Sequence, residues 1–505
     1  MINITSHFTM EAKENTTFLR SVLATFPTDQ LIFVSCLLLC YPLGIFYRYV
    51  LNPKRVSSTV RHVVGLFWGI MFGWISFKWQ FFIIIGMAFS CYVLISFLNP
   101  KFVHRYVFAF SLLVLSVGHL CRQLTDYGSY KMDFTGPLMI IVQRVTYISL
   151  SVHDGQGRDE KDLSAEQKKE QLKKVPSLLE YFGYILHYST LLAGPACTYR
   201  KYKDFIDGRH FIEKDSKRKE PSSLVPVIEK SLTSLACLVI YFKFAPSFSP
   251  ILNTDEEFIA THSFLWRLMF AWFSMVTLRM RYYFAFKGAE AVNNLVGLGF
   301  SGYDEKGQPL WNGMLHANIL KVEFPLNMKM IFDNWNISTG SWLRRCVYDR
   351  VTKHRTLAVF ALSAAWHGFY GGYYLTFTSA QLCLEAARAF RRSWREKFQK
   401  TVILSRVYDV ITCLITAMIL GYLTVPFVLL DPWQGLRFWR SMYFFGHIIS
   451  IMVLLLHRGK GSRNKSKTSD TTTTTQEIMQ NGLIKSSARE ENNGLIIGQD
   501  ATCPH

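Results

Sequence analysis

The stretch LIFVSCLLLCYPLGIFYRYVL, residues 31–51, contains one charged residue, Arg48. A helix needs about 20 predominantly apolar residues to cross the hydrocarbon core of a bilayer. A secretory signal peptide would have a shorter apolar core followed by a small-residue cleavage site, and this run has neither feature. We therefore expect residues 31–51 to be retained as a membrane span, which predicts an integral membrane protein.

Apolar runs of similar length recur along the chain. Together they predict an all-α polytopic membrane protein with about eleven transmembrane helices. The runs lie at roughly 31–51, 63–77, 79–98, 103–120, 135–152, 181–197, 228–247, 263–286, 356–389 (long enough for two), 409–430 and 436–457. The fifth run holds Arg144 and the eighth holds three arginines. Because charges are unfavourable against lipid, we expect these two helices to line the interior or to lie partly in the interface.

Composition and charge agree with membrane embedding. Of the 505 residues, 50% are hydrophobic and 18% are charged, whereas about a quarter are charged in soluble proteins. The formal net charge of +20 would suggest nucleic acid in a soluble protein. Here the basic residues lie in loops, where they report topology and attract anionic headgroups, so no nucleic-acid partner is expected. The ten cysteines include no CxxC pair, and neither a metal site nor a disulfide framework is predicted.

The chain divides into three predicted parts: a luminal N-terminal segment (1–28), a multi-span domain (29–457) and a cytosolic tail (458–505). The tail has too few apolar residues to fold and is predicted to be disordered. Basic residues follow the first span at 52–55 and the last span in the tail. By the positive-inside rule both regions face the cytosol, so an odd number of spans places the N-terminus in the lumen.

Two polar loops interrupt the domain, at 153–176 and 200–223. The first contains SAEQKKEQLKK, in which Ser164 is followed three positions later by Gln167. This spacing predicts a capping box that opens a short solvated helix. The second loop is rich in lysine and arginine.

His367 lies within the apolar stretch FALSAAWHGFYGGYYLTF, residues 360–377. Ionisable groups at membrane depth are functional candidates because their burial costs free energy unless something satisfies them. The glycines at 368, 371 and 372 would let a helix loosen there or a substrate approach closely. The alternative is a histidine that only forms a hydrogen bond across helices.

Asn336 lies in a second informative stretch, IFDNWNISTGSWLRRCVYDRV, residues 331–351. Its tryptophans and arginines fit an interfacial helix, with tryptophan at headgroup level and arginine in water. That interpretation accounts for most of the segment. It does not account for the carboxamide of Asn336, which makes this residue the second candidate.

These stretches resemble the signature of the membrane-bound O-acyltransferase family. The resemblance rests on Trp335-Asn336-x-x-Thr339-x-x-Trp342-Leu343, followed by Ala364-x-Trp366-His367-Gly368 and Gly372-Tyr373-Tyr374, with His367 31 positions after Asn336. Further stretches resemble the lysophospholipid acyltransferase branch: VHDG at 152–155, PSLLEY at 176–181, LAGP at 192–195, AVNN at 291–294 and GFSG at 299–302. The resemblance covers residues from about 30 to 457.

The resemblance implies transfer of a fatty acyl chain from acyl-CoA to lysophosphatidylethanolamine, lysophosphatidylserine or lysophosphatidylcholine. His367 would act as general base on the free glycerol hydroxyl. Asn336 would orient the acceptor or donate a hydrogen bond to the developing oxyanion. No metal or redox cofactor is implied, and acyl-CoA is a co-substrate. Residence in the endoplasmic reticulum membrane rests on the family alone, because the tail has no evident retrieval signal.

The two substrates imply a tunnel that joins a polar cytosolic opening to an apolar interior, enclosed by the spans and by short re-entrant or interfacial helices. Candidate phosphate contacts at the opening, each equally consistent with ordinary loop charge, are Lys321, Lys329, Arg344, Arg345, Arg350 and Lys353. Candidate channel walls, which would otherwise anchor the interface, are Trp335, Trp342, Tyr348 and Trp366. Cys346 and Ser341 have no evident base partner, so covalent catalysis is not expected. Glu290 fits either a salt bridge or the site.

Two other functions remain open from the residues alone. The same chemistry could act on a secreted protein or a sterol, although the motifs between 152 and 195 favour a phospholipid. A transporter or channel would use intramembrane histidine and arginine as a pathway, but we see no internal repeat of the kind many transporters have. No residue specifies the headgroup, the acyl chain or the oligomeric state.

Overall fold

A computed structural model describes residues 27–129, 131–211 and 220–461 of the chain. The predicted luminal segment lies outside these residues except for 27–28, and the predicted tail lies outside them except for 458–461. The described helices are α1 (Thr28–Ile45), α2 (Ser58–Phe77), α3 (Phe81–Phe97), α4 (Val103–Thr125), α5 (Thr135–Gln156), α6 (Ala165–Glu170), α7 (Leu178–Ile185), α8 (Tyr188–Leu191), α9 (Tyr199–Ile206), α10 (Leu224–Phe244), α11 (Glu256–Thr261), α12 (Phe264–Val296), α13 (Ile319–Glu323), α14 (Met328–Asn334), α15 (Ile337–Leu343), α16 (Arg355–His367), α17 (Gly371–Phe398), α18 (Val402–Leu429), α19 (Pro432–Ser441) and α20 (Phe445–Gly461).

Shorter elements connect these helices. Single 3-10 or π-helical turns lie at Phe46–Val50, Lys78–Gln80, Glu160–Asp162, Arg209–Phe211, Pro250–Thr254 and Arg344–Tyr348. The strands β1 (Gly302–Tyr303) and β2 (Pro309–Leu310) pair antiparallel, with Gly302 opposite Leu310. Residues 451–461 belong to a second compact unit and form the end of α20.

Among the described residues, five helical stretches are long and apolar enough to cross a membrane, and a bent pair would make a sixth. The five are Thr28–Val50, Ser58–Phe97, Val103–Thr125, Leu224–Phe244 and Val402–Leu429, and the bent pair is Pro432–Ser441 with Phe445–His457. Ser58–Phe97 includes two predicted runs and is interrupted where Lys78 takes a positive φ of 49°. The prediction of a helical, multi-span membrane protein is confirmed.

The predicted span at 181–197 is not one helix: α7 ends at Ile185, and α8 is a single short turn. The buried guanidinium of Arg144 on α5 donates to the carbonyls of Tyr184 (3.2 Å), Ile185 (2.7 Å) and Thr190 (2.7 Å). Irregular backbone away from water needs partners from the protein itself. Arg144 therefore replaces hydrogen bonds that a continuous helix would make.

Two other predicted runs break as well. The run at 356–389 is divided between α16 and α17, because α16 ends at His367 and Gly368 has a φ of +120°. The run at 436–457 breaks between α19 and α20, where Tyr443 also has a positive φ, of 53°. The interpretation of 356–389 as two helices is therefore confirmed, and its division falls next to His367.

The two helices predicted to line the interior or to lie partly in the interface both bury arginines within the protein. Residues 141–152 of α5 are all buried, and Arg144 is 1% exposed. On α12, Arg279 is buried against Glu323, with both guanidinium-to-carboxylate distances at 2.6 Å. These arginines face protein partners, as the cost of a charge against lipid requires.

The first polar loop contains the predicted helix. In α6 the Gln167 amide donates to Ser164 Oγ (3.2 Å), and the Ser164 amide donates to Gln167 Oε1 (3.0 Å). The capping box is therefore confirmed. In the second loop, α9 and one 3-10 turn extend to residue 211, and residues 212–219 lie outside the described chain.

Two apolar clusters form the core, and the segment 331–366 contacts both. The first cluster includes α2 to α5 and α7 to α9, and it takes in Trp342 and Trp366. The second includes α10, α12, α17 and α18, and it takes in Ile331 and Phe360. The segment that carries the asparagine and histidine motifs therefore joins the two halves of the core.

Replacement of Gly69 by alanine should destabilise the protein. A Cβ at this position of α2 would overlap the carbonyl oxygen of Leu186 in the break between α7 and α8. Overpacking against backbone costs roughly 1–3 kcal/mol or more, so the thermal midpoint in detergent should fall. Gly86→Ala is the control, because α3 leaves open space there, and helix propensity should raise stability by up to about 1 kcal/mol. Equal midpoints for the two variants would contradict the close α2 packing.

Candidate active site

One side of α5 carries hydrogen bonds to both sequence motifs. The three bonds are Trp366 Nε1 to Met139 O (3.1 Å), Gln143 Nε2 to Thr339 Oγ1 (2.9 Å) and Trp342 Nε1 to Thr146 Oγ1 (2.8 Å). Met139 and Gln143 lie one helical turn apart, about 6 Å along the axis. The rings of Trp342 and Trp366 also contact each other, with centroids 5.8 Å apart. The fold therefore brings the asparagine and histidine motifs onto adjacent turns of one buried helix.

His367 is the last residue of α16 and lies among aromatic rings. Its imidazole stacks on Phe377 (centroids 5.4 Å, planes 27° apart) and meets the edge of Phe427 (5.1 Å). The side chain is half-buried. Within the described residues, neither ring nitrogen has a hydrogen-bond partner, so the predicted alternative of a histidine bonded across helices is not what the structure contains. A role of the imidazole in proton transfer stays a prediction.

Asn336 precedes α15 in the left-handed conformation, with φ 48° and ψ 57°. Asparagine at the start of a helix usually caps it with its side chain, but Asn336 makes no such bond. The backbone on each side is fixed instead: the Ile337 amide donates to His316 O (2.7 Å), and the Asn318 amide donates to Asn334 O (3.0 Å). Within the part of the chain that the structure describes, the half-buried carboxamide of Asn336 has no hydrogen-bond partner.

The predicted aromatic contacts occupy different environments. Trp342 and Trp366 are buried, at 0% and 4% exposure, so neither anchors a membrane interface. Trp335 is half-buried and packs against Tyr283 on α12, with ring centroids 5.7 Å apart. Tyr348 is half-buried beneath the Arg355 guanidinium. Contact of any of these rings with substrate stays a prediction.

The predicted cationic contacts separate into two groups. Arg345 and Arg350 are withdrawn from solvent and converge on Asp154, with Arg350 Nη2 2.9 Å and Arg345 Nη2 3.9 Å from the carboxylate. The others are exposed: Arg344 pairs with Asp349 (3.6 Å), Lys329 pairs with Asp333, and Lys321 and Lys353 lie at the surface. Phosphate binding by any of them stays a prediction.

A model of the membrane-bound O-acyltransferase family matches residues 119–425, a range that contains α5 and both motifs. The chain belongs to this family.

Several relatives are similar over most of the chain. Membrane-bound glycerophospholipid O-acyltransferase 2 of Homo sapiens is 35% identical, with 95% of each protein covered. Membrane-bound glycerophospholipid O-acyltransferase 1 of Homo sapiens is 37% identical over 86% of this chain and 90% of its own length. Lysophospholipid acyltransferase 6 of Drosophila melanogaster is 39% identical over 85% of this chain, which spans 61% of that relative's length.

Sequence reasoning missed two buried groups in this member of the O-acyltransferase family. His119 on α4 donates from Nε2 to the carbonyl of Trp366 (3.2 Å) and packs against Gly368. The fully buried carboxylate of Asp154 on α5 forms ion pairs with Arg158, Arg345 and Arg350. His119 could have been found by the rule that selected His367, because both are ionisable residues in apolar runs.

The remaining candidates have structural partners. Ser341 donates from its hydroxyl to Ile337 O (3.0 Å). Burial raises the pKa of the Cys346 thiol to about 12, so it is protonated and weakly nucleophilic at neutral pH. Glu290 forms salt bridges with Lys287 (2.9 Å) and Lys230 (3.3 Å), so the structure contains the predicted salt-bridge alternative. Within the described chain, no group of three or more His, Cys, Asp or Glu side chains is arranged to hold a metal.

Gly368→Ala should lower acyl transfer at least tenfold at matched protein level. Gly368 has φ 120° and ψ −162°, a region that residues with a side chain rarely adopt, at a cost of about 1–3 kcal/mol. A Cβ there would also press on His119, at 3.2 Å. Relief of that strain would move His367. Gly136→Ala, at an open position at the start of α5, should keep wild-type activity; full activity of Gly368→Ala would contradict a fixed His367.

Proposed function

We propose that the protein is an acyl-CoA-dependent lysophospholipid O-acyltransferase that acts in phospholipid remodelling. The observation that carries the proposal is the His367 imidazole, half-buried among aromatic rings without a hydrogen-bond partner in the described chain. Its neighbour Trp366 bonds to α5 one turn away from the bond that α5 makes to Thr339 of the Asn336 motif. Relatives named lysophospholipid or glycerophospholipid acyltransferases support the acceptor class.

In the proposed reaction, His367 takes the proton of the free glycerol hydroxyl as its oxygen attacks the thioester carbon of acyl-CoA. The carbon–sulfur bond then breaks, and the imidazolium returns the proton to the departing thiolate, giving CoA and the diacyl phospholipid. Asn336 donates a hydrogen bond to the oxyanion or orients the acceptor. Direct transfer needs only that the site hold the hydroxyl and the thioester together.

The same proposal includes a tunnel with about eleven surrounding spans. CoA would enter from the cytosol, and the arginines around Asp154 are the candidates for its phosphates. Three guanidinium groups there are paired with only two carboxylates, Asp154 and Glu170, which leaves an excess of positive charge. The half-buried Trp335 and Tyr348 would line the apolar part, and the buried Trp342 and Trp366 would support its wall from behind. The protein would lie in the endoplasmic reticulum membrane, with a luminal N-terminus and a cytosolic C-terminus, and would need no metal or redox cofactor.

The test is acyl transfer by membranes that contain wild-type protein, His367→Ala or Asn336→Ala at equal abundance. Labelled oleoyl-CoA is offered with lysophosphatidylethanolamine, lysophosphatidylserine and lysophosphatidylcholine, and separately with a sterol and an acceptor peptide. Loss of a general base should reduce the rate by roughly 10²–10⁴-fold, and Asn336→Ala should lose about 10²–10³-fold.

Each arm of the test has a contrary outcome. Full activity of His367→Ala would refute the general-base role. A wild type that acylates only the peptide or the sterol would replace the lysophospholipid acceptor with one of those classes. The wild-type assay is also run with a chelator, and loss of activity there would reveal a metal requirement.

A further inference from the structure

The loop between β2 and α13, residues 311–318, is held by charged side chains instead of regular secondary structure. Three lysines donate to its carbonyl oxygens, and one glutamate accepts from its amides. The contacts are Lys230 to Trp311 O (3.1 Å), Lys201 to Gly313 O, Lys287 to Ala317 O (2.7 Å), and Glu290 from the amides of His316 (2.9 Å) and Ala317 (3.4 Å).

Glu290 is the centre of this arrangement and is fully buried on α12. Its Oε1 accepts from Lys287 Nζ (3.0 Å) and from the His316 amide, and its Oε2 lies 2.9 Å from Lys287 Nζ and 3.3 Å from Lys230 Nζ. A buried carboxylate is expensive unless it is paired and fully hydrogen-bonded. Here the partners include backbone amides of the loop, so the charge and the loop geometry depend on each other.

A second anchor holds the loop through the side chain of His316. Burial lowers the pKa of His316 to about 4, so its ring is neutral near pH 7. The ring donates from Nε2 to Ala193 O (2.6 Å) and stacks on Phe286, with centroids 4.4 Å and planes 8° apart. The His316 backbone, between this anchor and Glu290, has little freedom to move.

Two backbone hydrogen bonds connect the loop to the segment that carries Asn336. The His316 carbonyl accepts from the Ile337 amide, and the Asn318 amide donates to the Asn334 carbonyl. The two bonds flank Trp335 and Asn336 on both sides. A change in the 316–318 backbone would therefore change the φ and ψ of Asn336.

We propose that Glu290 is a positioning residue for catalysis, holding the 316–318 backbone so that Asn336 stays in its left-handed conformation with its carboxamide free for the substrate. The inference rests on the proposed role of Asn336. Left-handed backbone costs a non-glycine residue free energy, though asparagine tolerates it better than most. Without the two flanking bonds, Asn336 would adopt the extended conformation of an ordinary N-cap, and its side chain would bond to the first turn of α15.

Glu290→Gln tests the inference, because it keeps the side-chain shape and removes the charge that binds two lysines. We expect kcat to fall at least tenfold, with the KM for acyl-CoA unchanged. Hydrogen–deuterium exchange on the full-length protein in detergent should accelerate in peptides that cover 311–318 and 334–343. Exchange in α5 peptides should not change. Global destabilisation would instead accelerate exchange throughout.

Glu385→Gln is the matched control. It also removes an ion pair, with Arg388 at 2.9 Å, but on a partly exposed face of α17. It should leave kcat and the exchange of 334–343 unchanged. The inference is overturned if Glu290→Gln leaves exchange at 334–343 unchanged or accelerates it equally in every peptide.

If Glu290→Gln does not accumulate, Lys230→Met/Glu290→Gln serves instead, because it removes one charge of each sign and preserves the net charge of the cluster. The same selective exchange is expected, and uniform or absent acceleration overturns the inference. Asn336→Ala is assayed in parallel. Full activity of that variant would refute the proposed site, whereas the exchange result depends only on the link between Glu290 and the Asn336 backbone.

Discussion

Polar groups buried among apolar side chains must find partners within the protein, and α5 provides partners for most of the site. Its buried side accepts hydrogen bonds from Trp366 and Trp342 and donates one to Thr339. Near its end, the Asp154 carboxylate pairs with Arg345 and Arg350. A hydrogen bond between buried groups is costly to lose, because the group that remains is left unsatisfied and away from water. The relative placement of α15 and α16, and hence of the two motifs, depends on this one helix.

Charged side chains at the irregular points of the fold follow the same constraint. Arg144 satisfies the carbonyls where α7 and α8 break, and the lysines with Glu290 satisfy the loop before α13. In each place a charge replaces hydrogen bonds that neither regular helix nor water can provide. These irregular segments of the O-acyltransferase are therefore held by specific contacts. One of them, the loop before α13, is hydrogen-bonded to the residues next to Trp335 and Asn336.

Much of the architecture could be predicted because its signals are local. Apolar runs located the long helices, the Ser164–Gln167 spacing located α6, and the glycines after His367 anticipated the division of 356–389. The break inside 181–197 could not be predicted, because it depends on Arg144, some 40 positions earlier in the chain. For the same reason, the sequence did not predict the partners of Glu290 or the contact of His119 with Trp366. A pairing between distant residues leaves no period or spacing in the sequence.

The sequence by itself determined that the chain is a helical membrane protein of the O-acyltransferase family, and it singled out His367 and Asn336, because burial costs and motif spacing are properties of short segments. Only the tertiary structure decided that the His367 ring has no hydrogen-bond partner in the described chain and that Asn336 adopts the left-handed conformation. The same holds for the buried salt bridge between Glu290 and Lys287. Those properties arise from contacts between segments far apart in the chain, whose geometry exists only after packing.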